Sequence, residues 1–436
     1  MNLLRNKVLK NATWIVGCKI IQSLISFIIG IFTARYLGPS NYGLINYAAS
    51  LVAFFVPIMQ LGLPDILVKE FISHPEDEGK ILGTSLVFNI VSAVASIIGI
   101  FTFSLVANAG DITTSLVCLL YSLTLFFQAT EMTLYWFQAK LLSKFPSVAS
   151  LVGYTITAVY KVYILFSGKS IVWFAITHVI EAFVISVLLL LIYFLKFKQT
   201  LAFSFSLGRK MISKSKHYIS SGLMIVVFQQ TDKIMIKFML GESEIGYYSS
   251  AITCIAITGF LFSAIIDSAR PWVLEGKAYS NKIFEERVTV LSTIVITVSL
   301  FQSIFMTLLA DYIIMILYGE QFLPAAGILK VAVWYVSFSY IGNVRNVWIL
   351  GEEKQKYLPV INIIGASANV LLNLSLIPIF GATGAAWASV CTQFFTNFVL
   401  SFAFKSMRPV GFIIIKSLDP RILINLLKKR AKESVH

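Results

Sequence analysis

Residues 81–107 read ILGTSLVFNIVSAVASIIGIFTFSLVA, 27 consecutive positions without a charged side chain. A helix rises about 1.5 Å per residue, so this stretch reaches about 40 Å. That is more than the roughly 30 Å of hydrocarbon in a bilayer. The segment therefore predicts a membrane-spanning helix, and the rest of the chain follows its pattern.

Scanning outward finds eleven more such runs. With the first they lie at about 12–34, 44–67, 81–107, 112–137, 147–166, 171–195, 218–239, 247–269, 288–310, 327–349, 358–380 and 383–404. The seventh is the weakest, because it carries Asp232, Lys233 and Lys237. Over the whole chain 57% of residues are apolar and only 13% charged, with a mean hydropathy of +0.82. A soluble domain carries about 25% charged residues. The expected class is an all-α polytopic membrane protein of about twelve transmembrane helices.

The net charge of +14 is distributed by side. With the N-terminus placed inside, the inside segments hold 27 Lys and Arg, and the outside loops hold only Arg35 and Lys169. This is a strong positive-inside bias, and it puts both termini in the cytoplasm. The basic residues gather in the linker 196–217 and the tail 405–436, where they face anionic lipid rather than nucleic acid. Within the tail, residues 420–432 set Ile422, Leu423, Leu426 and Leu427 against lysines, the pattern of an amphipathic helix lying on the membrane.

Several chemistries are excluded. The four cysteines form no C-x-x-C pair, and neither H-E-x-x-H nor G-x-x-x-x-G-K occurs. No catalytic residue, metal site or cofactor is expected.

The chain also repeats. Leu37, Gly38, Ser40, Gly43 and Ala48 recur as Leu240, Gly241, Ser243, Gly246 and Ala251, at a constant offset of 203. Trp136 followed by Lys144-Phe145-Pro146 recurs as Trp348 followed by Lys356-Tyr357-Leu358-Pro359. The expected organisation is a six-helix lobe over 1–195, the basic linker 196–217, a second six-helix lobe over 218–404, and the basic tail 405–436. Parallel six-helix repeats are characteristic of transporters, with the substrate path between them.

The segment Ala34-Arg35-Tyr36-Leu37-Gly38-Pro39-Ser40-Asn41-Tyr42-Gly43, followed by Gly62-Leu63-Pro64, resembles the start of bacterial Wzx-type polysaccharide (O-antigen) flippases. Gly246-Tyr247-Tyr248-Ser249-Ser250-Ala251 and Leu317-Tyr318-Gly319 extend the likeness. These flippases share a superfamily with MATE multidrug transporters and the lipid II flippase. The resemblance implies two lobes set in a V around a cavity that opens alternately to each side. It also implies an undecaprenyl-diphosphate-linked oligosaccharide as cargo, moved from the cytoplasmic to the periplasmic leaflet of the inner membrane. Coupling to an H+ or Na+ gradient is implied, as is work beside a polysaccharide polymerase and a chain-length regulator.

Ionisable side chains inside a bilayer are costly and usually face a water-filled cavity or a partner. Glu181 lies deep in the sixth span, with His178 three residues earlier on the same helix face. A carboxylate beside an imidazole can exchange protons near neutral pH, so these two, with Asp232, are the candidates for ion coupling. A diphosphate cargo calls for cationic donors. Lys19, Lys161, Lys233 and Arg345 lie within spans and are the candidates for substrate binding. For each, a helix–helix contact is the competing reading. Glu131 lies near an inner span end, where an interfacial position is expected. Trp14, Trp173, Trp334 and Trp348 lie near span ends and are expected to anchor at the interface.

Two other functions fit the same pattern less well. A cation-coupled multidrug exporter should favour acidic cavity residues over basic ones. A membrane polysaccharide polymerase should carry a large outside loop with basic residues, whereas the longest, at about 311–326, has none.

Overall fold

The computed structural model describes residues 2–197, 200–419 and 421–422, with side chains at 14 and from 17 onward. All regular structure among them is helical. In chain order the helices are α1 (Asn2–Met59), α2 (Pro64–Ser73), α3 (Glu78–Ala107), α4 (Ile112–Ser122), α5 (Thr124–Gln128), α6 (Thr133–Ala139), α7 (Lys144–Phe166) and α8 (Ile171–Leu191). There follow α9 (Phe205–Leu240), α10 (Glu242–Ala256), α11 (Gly259–Tyr279), α12 (Asn281–Tyr318), α13 (Pro324–Gly351), α14 (Tyr357–Phe380), α15 (Ala382–Phe394), α16 (Leu400–Ala403) and α17 (Arg408–Lys416).

Among the described residues, nine helical stretches are long and apolar enough to cross a membrane, and a tenth qualifies if a bent pair at the end is taken as one span. The first stretch, Gly17–Ser73, holds two of the predicted spans. Helix α9 carries the seventh span and is too polar to count among the nine, as its Asp232, Lys233 and Lys237 predict. The predicted spans lie mainly on helix, the second being broken at Gln60–Leu63 where Leu61 and Gly62 have positive φ, and the protein is an all-α, multi-pass membrane protein. The amphipathic tail expected over 420–432 lies, apart from Arg421 and Ile422, outside the described residues.

The chain forms two compact units, Met1–Ile234 and Met235–His436. Lipid tails are as apolar as leucine, so helices in a bilayer associate through close packing of small residues rather than through hydrophobic burial. In the first unit Ala149, Gly153 and Thr157 are buried along α7 at four-residue spacing. A Cβ on Gly153 would stand 2.8 Å from the Ile185 side chain of α8. At one end of this unit Trp136, Phe137 and Tyr193 close an aromatic core with Phe145 and Phe197. In the second unit α13 is the most enclosed of the long helices, held between α12 and α15.

Trp348 is a correction to the sequence reading. It is 1% exposed, packed in the core of the second unit, and so is not an interfacial anchor. Its nearness to a span end misled, because α13 continues to Gly351 inside the packed unit.

The sequence repeat extends to the backbone. Gly38 (φ 72°, ψ 173°) and Gly241 (φ 103°, ψ −173°) share a conformation that only glycine adopts readily. Gly38 breaks α1 between its two spans, and Gly241 separates α9 from α10. Left-handed residues also follow both repeated tryptophans, at Leu141 and Glu353. The sixth and twelfth spans each carry a π-helical turn, Ile192–Lys196 and Phe395–Val399, again 203 residues apart.

An ion pair repeats with its polarity reversed. In the first unit Lys140, four residues after Trp136, pairs with Glu78, and Glu78 also accepts from Trp136 Nε1 at 2.7 Å. In the second unit Glu352, four residues after Trp348, pairs with Lys277.

Part of the basic linker is an extended strap on α3. The Ala202 amide donates to the Gly79 carbonyl at 3.0 Å, and the Ser204 amide donates to Thr84 Oγ1 at 3.0 Å. A Cβ on Gly83 would stand 2.3 Å from the Ala202 carbonyl oxygen, so only glycine permits this approach. Beyond the strap, Lys214 pairs with Glu70 at 2.6 Å, and Ser215 Oγ donates to the Leu61 carbonyl at 2.6 Å. These contacts hold the start of α9 on the first unit.

Candidate functional site

Helices α1, α4, α5 and α8 line an open cavity of about 240 Å³ in the first unit. The α1 wall is apolar and small, built from Ala49, Val52, Ala53 and Val56. The opposite wall is polar: Tyr121, Thr124 and Gln128 come from α4 and α5, Glu131 from the short turn after α5, and His178 and Glu181 from α8.

Local structure explains each placement. His178 and Glu181 are three residues apart on a continuous helix, so they share a face. Glu131 follows Thr124 and Gln128 on the same side of the fourth span, although that span is not one straight helix. It breaks after Ser122 and again at Ala129–Met132, where a tighter 3₁₀ turn replaces the α-helical path. The Tyr121 and His178 rings lie with centroids 4.6 Å apart at 38°. Glu131 and Glu181 are within electrostatic reach of each other, and Lys161 of α7 is within reach of both Glu181 and His178. The cavity therefore holds two carboxylates, an imidazole and a phenol, with one cation nearby. Such a set can take up and release a proton or hold a small cation. Among the described residues no group of three or more His, Cys, Asp or Glu is placed to hold a metal ion.

The structure brings together Glu181, His178 and Lys161 among the residues singled out from the sequence. Asp232 and Lys233 lie on α9, Asp232 buried and Lys233 half-buried beside it, and neither lines this cavity. Three residues before Lys233, Gln230 accepts from Ser50 Oγ of α1 at 3.1 Å. Lys19 is exposed on α1. Arg345 belongs to the second unit, 3% exposed on α13. Its Nη1 donates to the Thr396 carbonyl at 2.7 Å and its Nη2 to Asn346 Oδ1 at 3.2 Å.

Sequence reasoning missed Tyr121 and Gln128, and it set Glu131 at the interface. The available signal was spacing: Thr124, Gln128 and Glu131 fall at four- and three-residue intervals, one face of a helix.

The sequence model of a family described as polysaccharide biosynthesis protein matches residues 8–277. The chain belongs to this polysaccharide biosynthesis family. No curated protein sequence matches the chain. Among solved structures, the lipid II flippase MurJ in an inward closed conformation is similar, with a TM-score of 0.73 and 14% identity, over 95% of this chain and 92% of that one. An inward-facing multidrug resistance MATE transporter of the MOP superfamily gives a TM-score of 0.68 at 14% identity, over 90% of this chain and 95% of that one. A MOP superfamily transporter from Pyrococcus furiosus gives 0.60 at 13% identity, over 92% and 95% of the two chains. At these identities the likeness establishes the fold. This member of the polysaccharide biosynthesis family thus has the fold of MOP superfamily transporters over nearly its whole length.

Proposed function

We propose that this protein is a flippase for undecaprenyl-diphosphate-linked oligosaccharide, an O-antigen or capsule repeat unit. It moves the cargo from the cytoplasmic to the periplasmic leaflet of the bacterial inner membrane by alternating access. The supporting observation is the pairing of a polysaccharide biosynthesis family match over 8–277 with a transporter fold. No bond is made or broken, so the protein is not an enzyme.

In this reading the lobes are 1–195 and 218–404, joined by the linker 196–217 and followed by the tail 405–436, with both termini cytoplasmic. Glu181 and His178 couple transport to an H+ or Na+ gradient, and Glu131 joins them because it lines the same cavity. Asp232 on α9 takes part in the ion coupling and lies beside Lys233. Lys19, Lys161 and Lys233 supply cationic contacts to the diphosphate. Arg345, whose Nη1 and Nη2 are engaged with Thr396 and Asn346 while its buried Nε has no partner among the described residues, contributes by holding the second unit in shape. A polysaccharide polymerase and a chain-length regulator receive the cargo outside.

The test is deletion of the gene with mass analysis of lipid-linked oligosaccharides and surface glycan. Accumulated diphosphate-linked repeat units with lost surface polymer are expected, and the mass identifies the cargo. Unchanged glycan with altered sensitivity to cationic drugs would overturn the proposal in favour of multidrug export.

A further inference from the structure

The chain does not end at its last span. After α15 and α16 it turns through 101° between Ala382–Ala403 and Lys405–Lys416. The two helices pass together as one bent span, but the sequence places the twelfth span at 383–404. With the span ending there, a helix at 101° to it runs across the span direction, along the membrane surface. The positive-inside pattern puts this end at the cytoplasmic face. The bend is fixed by contacts within the second unit, since Lys354 Nζ donates to the Ser406 carbonyl at 2.8 Å.

Helix α17 has two faces. Val410, Gly411, Ile413 and Ile414 are buried, and the helix packs on α12. At its end Ser417 Oγ donates to the Thr289 carbonyl of α12 at 3.2 Å. The other face keeps large apolar groups uncovered: Phe412 is 64% exposed, with Ile415 and Leu418 also exposed. Around them stand Lys405, Arg408, Lys416 and Arg421, all exposed. Asp419 is the sole acid on residues 405–422, and it accepts from the Arg421 amide. The nearest turn of α12 adds exposed Glu285 and Glu286, and no ion pair joins them to these cations among the described residues.

Apolar residues flanked by Lys and Arg on one face match a phospholipid surface, with rings and aliphatic chains among the acyl groups and cations reaching the headgroups. We propose that α17 is an in-plane foot for anionic phospholipid of the cytoplasmic leaflet, which it holds through Lys405, Arg408, Lys416 and Arg421. The charge chooses the lipid: four cations around the exposed face favour phosphatidylglycerol over phosphatidylcholine. Through Val410, Ile413, Ile414 and Ser417 the foot fixes the start of α12 at a set depth.

The test uses the full chain in nanodiscs of phosphatidylcholine, alone or mixed with phosphatidylglycerol. A spin label at Phe412→Cys, with the four native cysteines replaced, reports depth through its accessibility to oxygen and to a water-soluble nickel complex. The label is expected in the acyl region when phosphatidylglycerol is present, and a water-exposed label there would overturn the proposal. Native mass spectrometry of protein released from the mixed discs then counts the retained lipid. Enrichment of phosphatidylglycerol should fall by roughly fivefold for each cation neutralised in Lys405→Gln, Arg408→Gln, Lys416→Gln and Arg421→Gln. Equal enrichment in the fourfold variant would overturn the lipid assignment. Neither readout involves transport, so both stand apart from the flippase proposal.

Discussion

Arg345 donates from Nη1 to the backbone carbonyl of Thr396, inside the π-helical turn that interrupts the twelfth span. A π-turn leaves carbonyls without their regular helical partners, and in a membrane interior water does not replace them. The guanidinium fills that role. Arg345→Ala should cost the second unit about 2–3 kcal/mol, the worth of a hydrogen bond to a charged group. Earlier thermal unfolding in detergent checks it. Unchanged unfolding with lost glycan display would return Arg345 to the substrate path.

Glu181→Gln keeps the shape of the cavity wall but removes a titrating group. Transport into proteoliposomes driven by an imposed proton gradient should fall by roughly tenfold, with its pH dependence flattened. Glu131→Gln should act in the same direction, since both carboxylates line one cavity. If both variants keep the pH profile of the parent protein, the cavity has no part in coupling.

Lys233→Gln tests the cationic contact on α9. Surface glycan at matched protein level should drop by about tenfold, the worth of one charge-assisted hydrogen bond. Lys19→Gln serves as a second probe on α1. Normal display in both variants would remove the diphosphate role from these lysines.

Gly83→Val would drive a side chain into the Ala202 carbonyl and lift the strap from α3. Overpacking of this kind costs about 1–3 kcal/mol. Limited proteolysis from the cytoplasmic side should cut within 200–209 several times faster than in the parent protein, and an unchanged cutting rate would show that the strap is free already.

Much of this architecture was legible from sequence because its signals are local. Apolar runs mark spans by composition alone, and the Leu-Gly-x-Ser repeat marks turns whose backbones match at Gly38 and Gly241. The pairing of His178 with Glu181 followed from helical spacing. Glu131 was read only by its distance from the span end, which does not tell that it lines a cavity with Glu181. The fourth span breaks at residues that include neither proline nor glycine. The partner of Arg345 was hidden for a related reason, since a π-turn has no simple sequence mark. Trp348 failed differently: distance from a span end says nothing about which neighbours cover a ring.

The reversed ion pairs limit how far the two halves can be exchanged. Two repeated halves are open to recombination that copies one onto the other. Copying the Trp348 segment over the Trp136 segment would bring Glu352 into the place of Lys140, facing Glu78 in a buried setting. Carboxylate would then oppose carboxylate. Glu78 would lose its cation and meet a like charge, so at this position the halves are not interchangeable unless the facing residue is exchanged as well.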